Sequence, residues 1–365
     1  MNLRLATYNL NNLFQRPRVL QLAGFSAKAR TVLEDIDRLA ALLERDSYAG
    51  ATGQDIIALL KKYGFAQAGA REWFDVNQAK GKLFSASKGA LKLTAAGRGD
   101  WLGWVELTRE SVDDEATRNT GRVIAAVQPD VLCVVEAESR PALDRFNRQV
   151  LKPLQAAFAH VLLVDGNDPR GIDVGVYSRH AIPSVRSHVD DTYTGKDKKP
   201  HPVFSRDCPE YEIALPGSRT LWLLANHFKS QGYGTPAGND AKRLAQTKRV
   251  REILGRFNLQ QDWVAVAGDF NAAPASASLS PLLTVPHLRD VFDSPKFLGQ
   301  PRWTYHAGKQ QLDYLLVSEP LFAAIQTVGI ERRGQWMKTQ PHFPEVTGPA
   351  NEASDHAAVW ADFTL

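Results

Sequence analysis

The residues best suited to chemistry stand at the end of a short apolar run, residues 264–267, which continues as Gly268, Asp269, Phe270 and Asn271. A short apolar run that ends in a turn signal is typical of a strand buried on both faces. Because side chains alternate between the two faces of a strand, Asp269 and Asn271 are expected to share one face and to reach one bound group. The alternative is an Asx-type turn that closes a hairpin, since Asp, Asn and Gly are common turn residues.

Other predicted strands also carry polar residues at an end. They are Glu136 after the run 131–135, Asn226 and His227 after the run 221–225, Asp313 in the run 312–317, and Asp355 with His356 near the C-terminus. Each has a structural alternative: Glu136 could be a surface acid, His227 a core histidine and Asp313 a buried, hydrogen-bonded carboxylate. Their recurrence at strand ends instead favours one site that binds a metal ion or a phosphate.

The elements that would position these residues follow from the spacing of apolar side chains. Alternation over residues 3–8 predicts an opening strand that delivers Asn9 and Asn11 near its end. Further strands are expected at 172–177, 211–215 and 221–225, and helices at 27–45, 56–60, 113–127, 145–158 and 241–257. Between residues 80 and 107, glycine turns separate two or three short strands.

The composition is that of a soluble globular protein of one large domain or two ordinary ones, with 44% hydrophobic and 23% charged residues in a chain of 365. No apolar run approaches the roughly 18 residues of a membrane helix, and the first residues read as a strand and not as a signal peptide. Two cysteines, Cys133 and Cys208, make a disulfide framework unlikely. We therefore expect a cytoplasmic protein with no membrane partner and no obligatory protein partner. The formal charge of +4 is compatible with an anionic substrate without establishing one.

Six short motifs, taken together and in order, resemble the endonuclease/exonuclease/phosphatase superfamily. They are Tyr8-Asn9, residues 129–136, Asn226-His227, residues 268–271, residues 312–314 and residues 354–356. The superfamily includes deoxyribonucleases, abasic-site endonucleases, neutral sphingomyelinases and inositol polyphosphate phosphatases. The match covers residues 1–13 and 113–365. It implies an α/β fold, specifically a four-layer α/β/β/α sandwich of two mostly antiparallel sheets with the site at one edge.

The resemblance also implies metal-dependent hydrolysis of a phosphate ester. Glu136 would be the principal metal ligand, with Asn9 and Asp355 beside it. Oxygen ligands with open water positions suit Mg²⁺ or Mn²⁺. The metal would polarise the phosphoryl group and neutralise charge on the leaving oxygen.

The same resemblance assigns roles to the remaining residues of the site. Asp313 and His356 would form a carboxylate–imidazole pair, and either His356 or Asp269 would be the general base. Asn271 and His227 would donate hydrogen bonds to phosphoryl oxygens. Beyond the resemblance, Asp173 is the candidate to orient His227, and Asn226 is a candidate to bind the phosphate. Arg170 and Arg206 could also bind it, with ordinary surface arginines as the alternative.

Two departures from the family pattern stand out. Abasic-site enzymes carry an acid two positions after the first asparagine, where this chain has Asn11. Asn9 and Glu136 are separated by 136 − 9 = 127 residues, far more than a crossover between neighbouring strands requires. Residues 14–112 are therefore interpreted as a helical and β-hairpin insertion, a possible substrate-binding subdomain.

The insertion is strongly basic in part. Between Arg71 and Arg98 it holds six cations and two acids, and from Lys80 to Arg98 five cations and no acid. Such a segment, with aromatic residues interleaved, could hold a phosphate backbone and stack on unpaired bases. The alternative is a solvated hairpin whose tryptophans anchor it to the core. The candidate contacts are Lys82, Lys88, Lys92, Trp101 and Trp104.

The sequence thus predicts a divalent-metal-dependent phosphodiester hydrolase, most simply a nuclease that acts on DNA by in-line attack of water. One alternative is a phosphatase or phosphodiesterase for a small or lipid phosphoester. A second is a catalytically silent scaffold that binds nucleic acid or protein. Silent relatives usually lose the Asp–His pair or the metal glutamate, whereas Glu136, Asp313 and His356 are all present here.

Overall fold

The computed structural model describes residues 1–21, 27–168, 170–195, 198–232 and 234–365. The chain divides into two compact units. The larger unit comprises Met1–Phe14, Val112–Gln231 and Thr235–Leu365, and the smaller comprises Gln15–Ser111 with Gly232–Gly234. Each unit has its own hydrophobic core.

The first sheet of the larger unit has six strands. In spatial order they are β19 (Ile325–Glu331), β20 (Ala358–Thr364), β1 (Asn2–Asn9), β8 (Val131–Ala137), β10 (Asp173–Ser178) and β9 (His160–Leu163). Neighbouring strands are antiparallel except β1 and β8, which are parallel. The central strands β1 and β8 are buried along most of their length, as their apolar sequences predict.

The second sheet also has six strands and repeats this arrangement. In spatial order they are β11 (Ser184–Arg186), β14 (Glu210–Leu215), β15 (Arg219–His227), β16 (Trp263–Asp269), β18 (Asp313–Ser318) and β17 (Leu288–Asp290). The pair β15 and β16 is parallel, and the other pairs are antiparallel. The larger unit is therefore a mixed α/β fold built on two large mixed sheets.

Three apolar clusters hold the larger unit together. One joins the facing sides of the two sheets, with Leu5 and Cys133 from the first sheet and Leu223 and Ala265 from the second. Another lies between the first sheet and α3 (Asp114–Val127) with α4 (Arg140–Phe146). The third lies between the second sheet and α5 (Pro236–Leu254) with α6 (Ser280–Leu283). Each sheet thus buries both of its faces.

One predicted helix, residues 145–158, is wrong in its bounds. The helix α4 spans Arg140–Phe146 and passes into a π-helical turn at Asn147–Leu151. The Asn147 side chain donates to the Phe158 carbonyl and accepts from the Phe158 amide, both at 2.9 Å. This pair of bonds fixes Phe158 beside the end of the helix, so the chain turns back where the sequence pattern predicted a continuation.

The smaller unit combines two helices with three two-stranded ribbons. The helices are α1 (Ala27–Leu43) and α2 (Ala51–Lys62), and the ribbons pair β2 (Gln15–Pro17) with β7 (Arg109–Ser111), β3 (Phe74–Lys80) with β6 (Leu102–Leu107), and β4 (Phe84–Ser87) with β5 (Ala90–Leu93). Its core includes Leu39, Ile56, Phe65 and Trp101.

The remaining regular elements are short. They are β12 (Thr192–Thr194) paired with β13 (Pro200–Pro202), α7 (Glu319–Ala323), and three 3₁₀ turns at Arg18–Gln21, Arg98–Asp100 and Val291–Asp293. Among the described residues, no helix combines the length and the apolar character needed to cross a membrane.

A buried charge cluster ties the second sheet to α5. The His188 ring lies between two carboxylates, with Nδ1 2.8 Å from Asp191 and Nε2 2.6 Å from Glu210. Asp191 and Glu210 also bind Arg249 and Arg256, respectively. Burial lowers the pKa of His188, but the hydrogen bonds to Glu210 and Asp191 outweigh it, so the pKa of His188 is raised. The cationic form of His188 therefore stabilises the fold.

This cluster predicts a pH-dependent stability. Because the folded pKa is raised, the contribution of His188 is fully present below its unfolded pKa of about 6.5 and is lost as pH rises through the folded value. We expect His188→Gln to lower the free energy of unfolding by about 3 kcal/mol at about pH 6, with a smaller loss at about pH 9. Urea denaturation of both proteins across this range measures the difference. The control His160→Gln, on edge strand β9, should show no such trend; an equal loss from His188→Gln at every pH would contradict the prediction.

Candidate active site

The polar residues singled out in the sequence meet at one edge of the larger unit. The strands β1, β8, β15 and β16 end there, while β10, β18 and β20, antiparallel to their neighbours, begin there. The expectation that Asp313 and His356 end strands is therefore wrong, since Asp313 begins β18 and His356 precedes β20. They reach the same edge because an antiparallel strand begins where its neighbour ends.

Strand alternation explains which residues turn inward. In β16, Ala265 and Ala267 face the cluster between the sheets, and Asp269 continues that series. Asn9, His227 and Asp313 continue the inward series of β1, β15 and β18 in the same way. The register places His227 opposite Asp269 and Asp269 opposite Asp313. A period of two in four separate strands thus delivers four polar side chains to one place.

Asp269 and Asn271 come together through a turn and not through a shared strand face. The strand ends at Asp269, and Asn271 has a φ of 52°. The Asn271 amide donates to Asp269 Oδ1 at 2.8 Å, and Asn271 Nδ2 donates to the Phe228 carbonyl at 3.2 Å. The Asx-turn alternative therefore describes the backbone, while both side chains still belong to the site.

The residues around Asp269 fix its position. A Cβ at Gly268 would lie 1.8 Å from the Asn226 carbonyl oxygen, so only glycine permits the close approach of β15 and β16 there. Phe270 is buried between Phe228 and Tyr314, with ring centroids 4.8 and 4.7 Å away. This ring stack holds in place the backbone between Asp269 and Asn271.

Asp313 and His356 form the expected carboxylate–imidazole pair. His356 Nδ1 lies 2.7 Å from Asp313 Oδ2, and both side chains are buried. His356 Nε2 points towards Asp269 Oδ2 at 3.7 Å. Burial lowers the pKa of His356, but the charges of Asp313 and Asp269 outweigh it and hold the pKa well above the ordinary value. The ring is therefore cationic at neutral pH, with Nε2–H directed to the interior of the site.

Asp269 is the most crowded carboxylate of the site. Its Oδ2 atom accepts a hydrogen bond from Asn9 Nδ2 at 3.2 Å and lies 3.7 Å from His227 Nε2. Burial raises the pKa of Asp269, and the nearby charge of Asp313 raises it further, against the opposing effect of His356. A carboxylate with a raised pKa is a better proton acceptor than a free aspartate.

Glu136 reaches the site through a β-bulge. Ala137 pairs with Asp173 and Val135 with Val174, which leaves Glu136 as the extra residue, with a φ of 59°. Its carboxylate is 3.7 Å from His227 Nε2 and its side chain is 21% exposed. Burial raises the pKa of Glu136, and the charge of Asp355 raises it further. The two acids are thus close enough to repel each other.

The acidic side of the site fits a divalent cation. Glu136 and Asp355 repel each other, which a bound cation would relieve, and Glu136 keeps an open face for water. The Asn9 side-chain oxygen accepts from the Asn11 amide at 3.0 Å, so this backbone fixes its direction.

A second cation position can be drawn from Asp269, Asp313 and His356, whose ligand atoms lie within 4.8 Å of one another. There, the short hydrogen bond between Asp313 and His356 uses the ring nitrogen Nδ1, which leaves Nε2 as the nitrogen that faces Asp269. Glu136, Asp355 and Asn9 form a separate set of oxygen ligands, which could hold a cation without disturbing this hydrogen bond.

Two buried arginines stand next to the acids. Asp168 binds Arg170 with both oxygens, at 2.8 and 2.6 Å, and lies 2.9 Å from Arg206 Nε. Arg206 Nη1 donates to the Phe228 carbonyl at 3.3 Å, the same oxygen that accepts from Asn271. Both arginines lower the pKa values of Glu136 and His227. Their positive charge therefore acts on the site.

The expected contact between Asp173 and His227 is not formed. His227 Nδ1 has no hydrogen-bond partner among the described residues, and Asp173 Oδ1 accepts from the Gly166 amide at 2.9 Å. Burial raises the pKa of Asp173 to about 7. Burial, with the charges of Arg206 and Arg170, holds the pKa of His227 well below its ordinary value, so this ring is neutral.

Asn226 is also displaced from its expected role. It is fully buried, and Nδ2 donates to the Leu224 carbonyl at 3.2 Å. These contacts give no support to the expected binding of phosphate by Asn226.

The candidate nucleic-acid contacts lie in the smaller unit and divide into two groups. Lys82, Lys88, Lys92 and Trp104 are exposed, Trp104 by 54%. Trp101 is buried in the core of that unit, and its Nε1 donates to the Tyr48 hydroxyl at 2.9 Å. The expectation that Trp101 stacks on a base is therefore wrong, because its ring has no accessible face.

Sequence reasoning missed three residues of the site. Asp168 holds the two arginines, and Tyr305 packs its ring against His356 with centroids 5.1 Å apart. His306 follows, 3.3 Å from Glu352. Asp168 stands two residues before Arg170, a spacing that allows an ion pair, but the 303–310 segment has no apolar period that would place it at the sheet edge.

Comparisons with known proteins identify the family of the chain. A family model described as "Endonuclease/Exonuclease/phosphatase family" matches residues 111–356. No curated protein shows a significant sequence match.

Solved structures with a similar fold include three at low identity. A truncated TDP2 from Caenorhabditis elegans is 18% identical over 68% of this chain and 91% of that chain, with a TM-score of 0.45. An endonuclease/exonuclease/phosphatase from Beutenbergia cavernae is 17% identical over 70% and 67%, with a TM-score of 0.48. The human Nocturnin catalytic domain is 16% identical over 70% and 88%, with a TM-score of 0.46.

The Asp313–His356 pair predicts a measurable change in protonation. We expect Asp313→Asn to lower the pKa of His356, because burial then opposes the cation with one fewer counter-charge. An NMR titration of the His356 ring in EDTA follows it directly. Asp130→Asn, at the opposite end of the same sheet as His356, is the matched control and should leave that pKa unchanged. A His356 pKa that stays the same in Asp313→Asn would show that Asp313 does not hold the charge.

Proposed function

The chain belongs to the endonuclease/exonuclease/phosphatase family, and from this membership and the geometry of its site we propose that it is a divalent-metal-dependent phosphodiester hydrolase, a nuclease that acts on DNA. One observation carries the hydrolytic part. The cationic His356, held by Asp313, faces the carboxylate of Asp269 at 3.7 Å. A proton donor and a proton acceptor thus face each other in a buried site, an arrangement suited to general acid–base catalysis.

The two groups take separate roles in this proposal. Asp269, with its raised pKa, accepts the proton of the attacking water, and its Asx turn and the Asn9 amide fix its orientation. His356 Nε2–H donates to a non-bridging phosphoryl oxygen, where negative charge develops. Asp313 keeps the ring in this tautomer and orientation, since it binds the other nitrogen.

Other residues bind and orient the phosphate. Asn271 Nδ2 has two N–H bonds, one of which is given to Phe228, and the second can donate to a phosphoryl oxygen. Arg170 and Arg206, which Asp168 holds in place through ion pairs, add positive charge to the site. Because these donors are buried and already oriented, little reorganisation accompanies the reaction.

A divalent cation, Mg²⁺ or Mn²⁺, would be held by Glu136, Asp355 and Asn9. It would supply Lewis-acid polarisation of the phosphoryl group and neutralise charge on the leaving oxygen. The repulsion between the two acids in the protein supports this assignment.

The choice of DNA rests on the smaller unit. Lys82, Lys88 and Lys92 are exposed, and within the described ranges none of them forms a salt bridge. Trp104 and Leu102 are exposed on β6, by 54% and 56%. An accessible aromatic ring and cations without salt bridges, carried by the same unit, suit bases and a phosphate backbone.

The finer architecture is part of the same proposal. We take the larger unit to be a four-layer α/β/β/α sandwich, supported by the three apolar clusters, and residues 14–112 to be an insertion that binds substrate. The cytoplasmic location expected from the sequence stays a prediction.

The proposed activity is tested with a panel of substrates. Plasmid DNA, single-stranded DNA, RNA and small phosphoesters are incubated with Mg²⁺ or Mn²⁺ and, in parallel, with EDTA. We expect metal-dependent cleavage of DNA that falls at least about 100-fold in Asp269→Asn, which removes the proton acceptor and keeps its shape. Asp293→Ala, which removes an exposed carboxylate elsewhere, should remain active. Turnover confined to small phosphoesters would show that DNA is not the substrate. Inactivity on every substrate would contradict the proposal that the protein is a hydrolase.

The role of the smaller unit is tested through binding. Changing Lys82, Lys88 and Lys92 together to Gln should reduce the steepness of the salt dependence of binding to single-stranded DNA, by about 0.7 for each phosphate that the lysines neutralise in the wild type. Trp104→Ala should weaken binding by about 1–3 kcal/mol if the ring stacks on one base. Fluorescence titration in Asp269→Asn avoids cleavage. The matched control changes Lys152, Lys248 and Lys296, lysines of the larger unit; an equal effect there would remove the smaller unit from recognition.

A further inference from the structure

Tyr305 lies at the border of the candidate site and has no role in the activity proposed above. Its ring packs on the ring of His356, with centroids 5.1 Å apart and planes at 43°. The backbones of the two residues also form a β-bridge. The side chain is only partly buried, so solvent and substrate can reach it.

The segment around Tyr305 is held firmly. The Tyr305 amide donates to the Gln310 carbonyl at 3.0 Å, and the His306 amide donates to the Asp355 carbonyl at 3.2 Å. The preceding residue, Thr304, accepts the amides of Leu312 and Asp313 on its hydroxyl, both at 3.0 Å. The backbone that carries the phenol is therefore fixed before any ligand arrives, and the ring rests on His356.

The acids of the site act on the Tyr305 hydroxyl through their charge. Burial raises its pKa to about 12, and the charges of Asp355, Asp269, Glu352 and Glu136 add to this effect. The phenol therefore stays protonated and is available as a hydrogen-bond donor. Among the described residues, however, no group accepts a hydrogen bond from this hydroxyl. A neutral hydrogen-bond donor without a partner at the border of the site is suited to binding an oxygen of an anionic ligand.

We propose that the Tyr305 hydroxyl donates a hydrogen bond to a non-bridging oxygen of the phosphate bound next to His356. This assignment rests on the proposed function, because it places a phosphate at that position. It makes Tyr305 a substrate-binding residue of the hydrolase, and it separates two parts of one side chain. The ring buttresses His356, while the hydroxyl binds the ligand.

The test uses inorganic phosphate as the probe, because phosphate binding does not require turnover. Calorimetric titration of the full chain with phosphate, with and without Mg²⁺, compares the wild type with Tyr305→Phe, which keeps the ring and removes the hydroxyl. We expect the Kd of phosphate to rise about 10-fold in Tyr305→Phe, as for a missing hydrogen bond to a charged group. Tyr193→Phe is the control, since it removes a phenol hydroxyl of similar exposure outside the site.

Turnover supplies a second readout. On the most rapidly cleaved member of the panel, Tyr305→Phe should lower kcat/KM about 10-fold or more, and Tyr305→Ala, which also removes the ring contact with His356, should lower it further. If Tyr305→Phe equals the wild type in both measurements and only Tyr305→Ala is impaired, the residue acts through its ring and the proposal is overturned.

Failure of this inference can be told apart from failure of the proposed function. If the wild type cleaves no phosphoester but binds phosphate more tightly than Tyr305→Phe does, the proposed hydrolase activity is overturned and the hydroxyl contact is supported. A wild type that cleaves DNA while Tyr305→Phe binds phosphate equally well supports the hydrolase and overturns the contact. A wild type that binds no phosphate overturns the contact whatever its activity.

Discussion

The constraint that governs this molecule is the crowding of negative charge at one sheet edge. Asp269, Asp313, Glu136 and Asp355 stand close enough for most of them to alter their neighbours' proton affinities. Carboxylates so placed are tolerable only with compensating charge. His356 supplies it on one side, and the arginines on Asp168 supply it on the other. A cation on Glu136 and Asp355 would complete the balance. Catalysis and stability therefore depend on the same electrostatic arrangement.

The positions of the site residues could be predicted from the sequence where these residues follow the period of two of a strand. Asn9, His227, Asp269 and Asp313 each continue an inward series that is visible in the sequence. Features that break the period were out of reach. The bulge at Glu136 and the approach of Tyr305 to His356 depend on long-range register, for which a single sequence carries no signal.

The smaller unit shows the same limit. The segment containing Trp101 and Trp104 suggests a short strand, and spacing alone tells that two residues three apart face opposite sides. It cannot tell which side is solvent. The structure gives the answer. Trp101 packs in the core of the unit and donates a hydrogen bond to Tyr48, whereas Trp104 is exposed. Counting charges likewise predicted that this segment is basic, but it did not predict which of the two tryptophans is exposed.

The bulge at Glu136 has a consequence for how such a site can be gained or lost. In β8, Leu132 and Val134 face the helices, Val131, Cys133 and Val135 face the other sheet, and Ala137 faces the helices again. The alternation therefore restarts after one surplus residue, and neither core gives up a position. A one-codon insertion would add this carboxylate to a finished sheet, and a one-codon deletion would remove it, without changing any residue of the apolar pattern. Ancestry in this part of the chain would then be recorded in strand length as well as in residue identity.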